Sequence, residues 1–446
     1  MTIENFSPPT THEGHLPPGV RPAPGPRPER SVWIGGPPAD PADDSANRKK
    51  SRITGLDAAR GIALIGMIAT HVLPDVHEAT GEPTLQWTLF AGNAAALFAL
   101  LAGISLALMT GGTRPHAGRQ WVRSSVAIFV RALIMFFVFG LALNMLPIPV
   151  YNILPYYALL FLLAIPFTLL RPLQLLVASI VFALLGPVAI YVINGTFDYT
   201  PIGSPSFTDL FYDPSSVMFS FLAGGAFPLL TWMTFICLGL MLGRMGLDRL
   251  SVQIQLAASG AILMVASGAL SNILLTTGGG WQRIIDANPG MTAEDAFDIA
   301  IWGTPEDTFQ LVPTTLWWLA VDGPHTNTPL SIGFSAGVAL LILGGSLLLG
   351  RVWAHTLTPL IAAGSMTMTM YTAHLVFITF VDTTQLPSLW FFLQIGAAMV
   401  FATVWTMSVG RGPFEGLVTR ISKGVAGGLV PGPVAPPKAG RRHLRS

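Results

Sequence analysis

The chain has 446 residues, of which 51% are hydrophobic and 11% charged, with a formal net charge of +1. Soluble domains carry about 25% charged residues, so this composition, with repeated apolar runs of about 20 residues, excludes a soluble globular enzyme and predicts an all-α, polytopic transmembrane helical bundle. The near-neutral balance leaves no electrostatic footprint for nucleic acid, and the single cysteine, Cys237 in an apolar run, excludes an internal disulfide framework or a cysteine metal site.

In chain order, residues 1–50 are rich in Pro, Gly, Asp and Arg, without apolar periodicity. They read as a disordered cytoplasmic tail, and they lack the apolar core and small-residue cleavage site of a secretory signal. About ten spans are expected after it, over 55–74, 85–110, 121–146, 150–170, 172–194, 222–243, 251–276, 328–350, 357–380 and 387–409. The fourth and fifth are divided only by Arg171-Pro172. With the N-terminus inside, the inner connections hold Arg114, Arg119, Arg123, Arg171, Arg244, Arg249 and Arg351, and the C-terminal tail adds seven more Lys and Arg. The outer connections hold only Arg283. That asymmetry is the positive-inside pattern, so both termini are expected in the cytoplasm. Residues 51–424 form the expected membrane domain, and 425–446 a basic cytoplasmic tail.

Two outer loops are long. Residues 195–221 are aromatic and Pro-rich, and 277–327 carry seven Asp or Glu. Within the second, Thr292-Ala-Glu-Asp matches a capping box opening a short helix to Trp302. Such loops suit either a polyhydroxylated ligand or a solvated fold with interfacial aromatics such as Trp317 and Trp318.

Ionisable residues inside spans are costly and so point to function. The first span carries Asp57, Arg60 and His71. Eleven residues at about 100° each bring Arg60 and His71 to within roughly 20° on one helix stripe, about 16 Å apart along the axis. Asp57, three residues before Arg60, shares that stripe. Arg131 lies in the third span and His374 in the ninth. The orientation places Asp57, Arg60 and Arg131 toward the cytoplasm and the two imidazoles in the outer half. Arg60 and Arg131, with Arg123 or Arg114, are suited to holding a phosphorylated donor, because a guanidinium binds phosphate oxygens bidentately and stays charged. A structural Asp57–Arg60 ion pair and a snorkelling Arg131 are the bland readings. His71 is a candidate general base or acyl carrier, against a role as a helix-packing histidine. Thr367, Tyr371 and His374 recur at helical spacing and can line the same cavity or bond helix to helix. His77, beside Asp75 and Glu78, is a second candidate base, and His325, in a turn-rich run before the eighth span, is a third.

At these residues Leu56-Asp57-x-x-Arg60-Gly61-x-Ala63-Leu64, followed by His71, resembles the opening helix of the heparan-α-glucosaminide N-acetyltransferase family and of the allied bacterial YeiB-like proteins. The Arg60-to-His71 spacing is similar to that of the type-3 membrane acyltransferases. Phe227-Pro228 with Trp232 and Gly243-Arg244, Pro324-His325-Thr-Asn-Thr-Pro329, Met368-Thr-Met-Tyr371-Thr-Ala-His374 and Arg411-Gly-Pro-Phe-Glu415 extend the resemblance over most of residues 52–420. The resemblance implies transfer of an acetyl or other short acyl group from cytoplasmic acetyl-CoA or acyl-CoA to a sugar beyond the membrane, with no metal. It implies a catalytic histidine at the outer end of the first helix, which maps to His71 with His77 as fallback.

The leading expectation is therefore a multi-pass acyltransferase of a bacterial plasma membrane acting on an envelope glycan or glycolipid. In it Asp57 orients Arg60, Arg60, Arg131 and Arg123 bind the donor, and His71 takes the acceptor proton. His374, Tyr371 and His325 contact the acceptor. Membrane lipid is an expected partner, and a homodimer stays open. The rivals are a secondary transporter or exporter using an intramembrane Arg/Asp/His pathway, and a non-catalytic envelope scaffold working through the N-terminal tail.

Overall fold

The computed structural model describes residues 53–304 and 314–430. The expected tail 1–50 and the end of the basic tail, from 431, lie outside these residues. Regular structure among the described residues is helical apart from an isolated bridge between Val76 and Pro83. In order, the α-helices are α1 (Thr54–Val72), α2 (Leu85–Phe90), α3 (Asn93–Met109), α4 (Gly118–Ile134), α5 (Leu154–Phe167), α6 (Pro172–Thr196) and α7 (Phe207–Tyr212). They continue with α8 (Pro214–Leu222), α9 (Leu229–Gly243), α10 (Leu250–Asn272), α11 (Gly280–Ala287), α12 (Ala293–Trp302) and α13 (Pro329–Val352). The last four are α14 (Thr358–Gly364), α15 (Thr367–Phe380), α16 (Pro387–Ser408) and α17 (Pro413–Leu429).

Six helical stretches among the described residues are long and apolar enough to cross a bilayer: Leu85–Met109, Gly118–Met145, Pro172–Thr196, Leu250–Thr277, Pro329–Val352 and Pro387–Ser408. The chain is thus a multi-pass helical membrane protein. The expected spans over 55–74, 150–170 and 222–243 coincide with α1, α5 and α9, of 19, 14 and 15 residues, which do not meet that test of length and apolarity. The span expected over 357–380 is not one straight helix. It is broken into α14 and α15, which meet at 81°. Two contacts explain the break. Gly364 seats so closely on α1 that a β-carbon there would collide with the Asp57 carbonyl oxygen. Beyond the bend, the Glu415 carboxylate accepts from the Thr369 backbone N–H at 3.1 Å and from its hydroxyl at 2.6 Å, so an acid from another helix caps the new N-terminus.

Lipid and interior are separated by burial. Only 6% of the apolar window in α16 and 17% of that in α6 is buried, against 67% for Leu85–Met109. In a bilayer those bare apolar rows are solvated by hydrocarbon. Helices pack through small residues, as membrane bundles do without a hydrophobic drive between spans. Gly103 on α3 and Gly239 on α9 face one another, a β-carbon on either reaching the other's backbone at 2.9 Å. The opening helix α1 touches α2, α3, α13, α14, α15 and α16, which makes it the hub of the site. The capping box at Thr292 is present, with Asp295 N donating to the Thr292 hydroxyl and Asp295 accepting in return, and α12 runs to Trp302 as the sequence predicts. The domain edge expected at 424 falls inside α17, an amphipathic helix that continues to Leu429 and packs on α4.

Candidate functional site

Helix α1 presents its polar residues to two cavities. The larger, about 890 Å³, is lined by Arg60 of α1, Ser105 of α3, Arg123 and Arg131 of α4, Tyr157 and Phe161 of α5, Tyr371 of α15, and Arg411, Glu415, Thr419 and Lys423 at the C-terminal end. Five permanent cations face a single carboxylate. His116, whose Nδ1 lies 2.7 Å from the Ser124 hydroxyl, also lines it. A volume near the top of the roughly 300–1,000 Å³ range of small-molecule sites, with that charge, suits a nucleotide-sized polyanion.

Two of the cations, Arg60 and Arg131, are held by neighbouring side chains. Arg60 Nη1 donates to Asp57 Oδ1 at 2.6 Å, and Nη2 donates to the Ser105 hydroxyl at 2.7 Å. The Ser105 hydroxyl donates in turn to the Leu101 carbonyl one helical turn back, at 2.7 Å. Asp57 is buried while 22% of the Arg60 side chain remains exposed, so the pair orients one charge toward the cavity. Arg131 Nη2 donates to the Thr419 hydroxyl at 2.8 Å, tying α4 to α17, while its buried Nε makes no hydrogen bond among the described residues.

The smaller cavity, about 50 Å³, is lined by Thr70 and His71 of α1, Phe90, Gly92, Tyr151, Phe227 and His325. Its volume has room for no more than a few waters or the reacting end of a longer molecule. Met67, Ile153 and Tyr371 line both cavities. These side chains are 5%, 2% and 4% exposed, so they form a thin packed wall between the two spaces.

His71 Nδ1 lies 3.0 Å from His374 Nε2, with the rings stacked at 5.2 Å and 13°. His374 Nδ1 in turn lies 2.7 Å from Gln394 Oε1 on α16. His374 lines neither cavity, and both its ring nitrogens are engaged. His325 is fixed by a tight turn. It and Asn327 hold left-handed backbone angles, φ 56° and 54°, unusual for non-glycine residues. Asn327 makes that conformation hold: Nδ2 donates to the His325 carbonyl at 2.8 Å, and Oδ1 accepts from Trp232 Nε1 at 2.9 Å. The His325 ring meets Phe227 edge-on at 5.5 Å, and burial pushes its pKa below the ordinary value. His77 is exposed in the loop after α1, where its backbone N–H donates to the Glu82 carbonyl, and it lines neither cavity.

Of the residues singled out from sequence, Arg60, Arg123, Arg131 and Tyr371 meet in the larger cavity, and His71, His325 and Tyr371 in the smaller. Sequence reasoning did not assign Arg411, Lys423 and Thr419 to the cation-lined cavity. The Arg411-to-Glu415 motif was the available signal, but basic residues after the last span read as a cytoplasmic tail. Gln394 carried no signal at all. No group of three metal-ligating side chains occurs among the described residues.

Residues 52–271 match the family model for heparan-alpha-glucosaminide N-acetyltransferase, catalytic. No curated protein matches the chain.

Proposed function

We propose, from the premise that this is a heparan-α-glucosaminide N-acetyltransferase-like membrane protein, that it moves an acetyl or other short acyl group from acyl-CoA to a hydroxyl or amine of an extracytoplasmic glycan or glycolipid. The coarser reading, a membrane acetyltransferase acting on glycans, rests on the family match. The finer one rests on one observation: a cation-lined cavity and a histidine-lined cavity share the wall of Met67, Ile153 and Tyr371. In this reading ten spans put both termini and the larger cavity at the cytoplasmic side of a bacterial plasma membrane.

Arg60, Arg123, Arg131, Arg411 and Lys423 hold the phosphates of the donor, and its thioester end meets the acceptor where the side chains of the shared wall part. His71 accepts the proton of the acceptor as its oxygen or nitrogen attacks the thioester carbonyl carbon. The carbon–sulfur bond breaks and the sulfur leaves with the electron pair, taking up a proton in the donor cavity. A positioned general base contributes typically 10²–10⁴-fold to such a step. His325, which also lines the small cavity, orients the acceptor.

The test is acyl transfer to glucosamine and to envelope extract by purified protein, beside its His71→Ala variant. The expected result is loss of transfer by at least about a hundredfold with acyl-CoA binding retained. Undiminished transfer by His71→Ala would remove His71 from the reaction. Absence of acyl-CoA binding by the native protein, together with solute flux that follows an ion gradient, would establish the transporter reading instead.

A further inference from the structure

The chain of contacts behind His71 specifies more than packing. A carbonyl oxygen only accepts, so Gln394 Oε1, 2.7 Å from His374 Nδ1, requires the hydrogen on that nitrogen. A neutral imidazole carries one N–H, which leaves His374 Nε2 as an acceptor. Its partner at 3.0 Å, His71 Nδ1, must then donate. The single hydrogen of a neutral His71 is thereby assigned to Nδ1, and its Nε2 keeps the lone pair. That nitrogen makes no hydrogen bond among the described residues, and His71 lines the small cavity.

We propose that Gln394 and His374 are positioning residues that fix His71 in the Nδ1–H tautomer and leave Nε2 as the proton-accepting atom facing the small cavity. The arrangement parallels the general logic of a base held in one tautomer by a hydrogen-bonding neighbour, here with a neutral amide and a second imidazole instead of a carboxylate. A neutral relay suits a site in low dielectric, where a buried carboxylate without full compensation is costly. The stacked rings, 13° apart, restrict rotation of His71 about its side-chain bonds. Three further titratable groups line the small cavity with His71, namely Tyr151, His325 and Tyr371, and none is a carboxylate or a permanent cation. Among the described residues, His374 Nε2 is the one acceptor within hydrogen-bonding distance of His71 Nδ1. The tautomer stands on geometry alone, whereas its use as a base rests on the acyl-transfer reading.

The experiment uses the full chain in lipid nanodiscs with histidine labelled by ¹⁵N, the His71 resonances being assigned by their loss in His71→Gln. At neutral to mildly alkaline pH the native protein should show His71 with a protonated Nδ1 and a bare Nε2. Gln394→Leu, which keeps bulk and removes the acceptor, should convert that signal to a tautomer mixture. Gln394→Glu, which restores an acceptor oxygen, should return it. In acyl-transfer assays on the same preparations, Gln394→Leu should lower kcat by roughly tenfold to a hundredfold, leaving KM for acyl-CoA unchanged. Gln394→Glu should recover most of the rate. A native His71 with its proton on Nε2, as the reversed amide orientation would impose, overturns the proposal. So does a tautomer indifferent to Gln394→Leu. If the native tautomer and its response to Gln394 are as expected while no acyl transfer occurs, the positioning holds and the acyltransferase reading is what fails.

Discussion

Replacing Arg131 by Met tests the proposed donor cavity separately from the rest of the site. Met keeps much of the length and apolar stem, so α4 should retain its packing. What disappears is one guanidinium, with its hydrogen bond to Thr419 and a buried Nε left to a ligand. A hydrogen bond to a charged group is worth about 1.5–3 kcal/mol. At about 1.4 kcal/mol per decade, loss of one phosphate contact weakens acyl-CoA binding by roughly 10- to 150-fold. Stability should change little, because the lost internal bond goes to one neutral hydroxyl and removing a desolvated charge offsets it. Isothermal titration of acyl-CoA into native protein, Arg131→Met and Arg131→Lys measures this. Lys should fall between the two, since it keeps the charge but not the planar fork. Unchanged affinity in a folded Arg131→Met variant would refute the assignment of this cavity to the donor.

Gly364→Val drives a side chain into the Asp57 carbonyl and the Gly61 backbone and should cost about 1–3 kcal/mol or more by thermal unfolding. Gly345→Ala, with nothing within 4 Å of the new β-carbon, should be neutral or stabilising by up to about 1 kcal/mol. Equal losses in the two would contradict the helix contact. Burial lowers the pKa of His325, so the folded turn disfavours the imidazolium. Its stability should be complete above the ordinary histidine value of about 6.5 and decline as pH falls below it, because the opened state takes the proton first. Amide exchange over residues 321–328 should show that loss, and His325→Gln should flatten it. A protection profile unchanged in His325→Gln would refute the link.

The opening helix was legible because helical geometry is local. Asp57, Arg60 and His71 share a stripe by arithmetic on residue number, and the structure keeps Arg60 and His71 on it while separating them by the wall at Met67. The partner of His71 was not legible, since His374 lies 303 residues away and no local rule pairs two spans. Gln394 was hidden for a related reason. A lone amide in an apolar lipid-facing helix gives no periodicity, and its meaning arises only from the ring it touches. Arg411 and Lys423 followed the positive-inside pattern, which reports orientation and is silent on whether a charge points to water or into a cavity. The bend between α14 and α15 has no proline to announce it. It comes from Gly364 against α1 and from Glu415 capping Thr369, both tertiary contacts.

In the proposed reaction an acyl group crosses the wall between the cavities while its carrier does not. The direct measurement reconstitutes the protein into sealed vesicles with glucosamine inside and acetyl-CoA labelled separately in the acetyl and nucleotide portions outside. The expected result is acetylated sugar in the lumen, with the nucleotide label remaining outside and no product from His71→Ala. Entry of both labels, or luminal sugar left unmodified while acetyl-CoA binds outside, would contradict it.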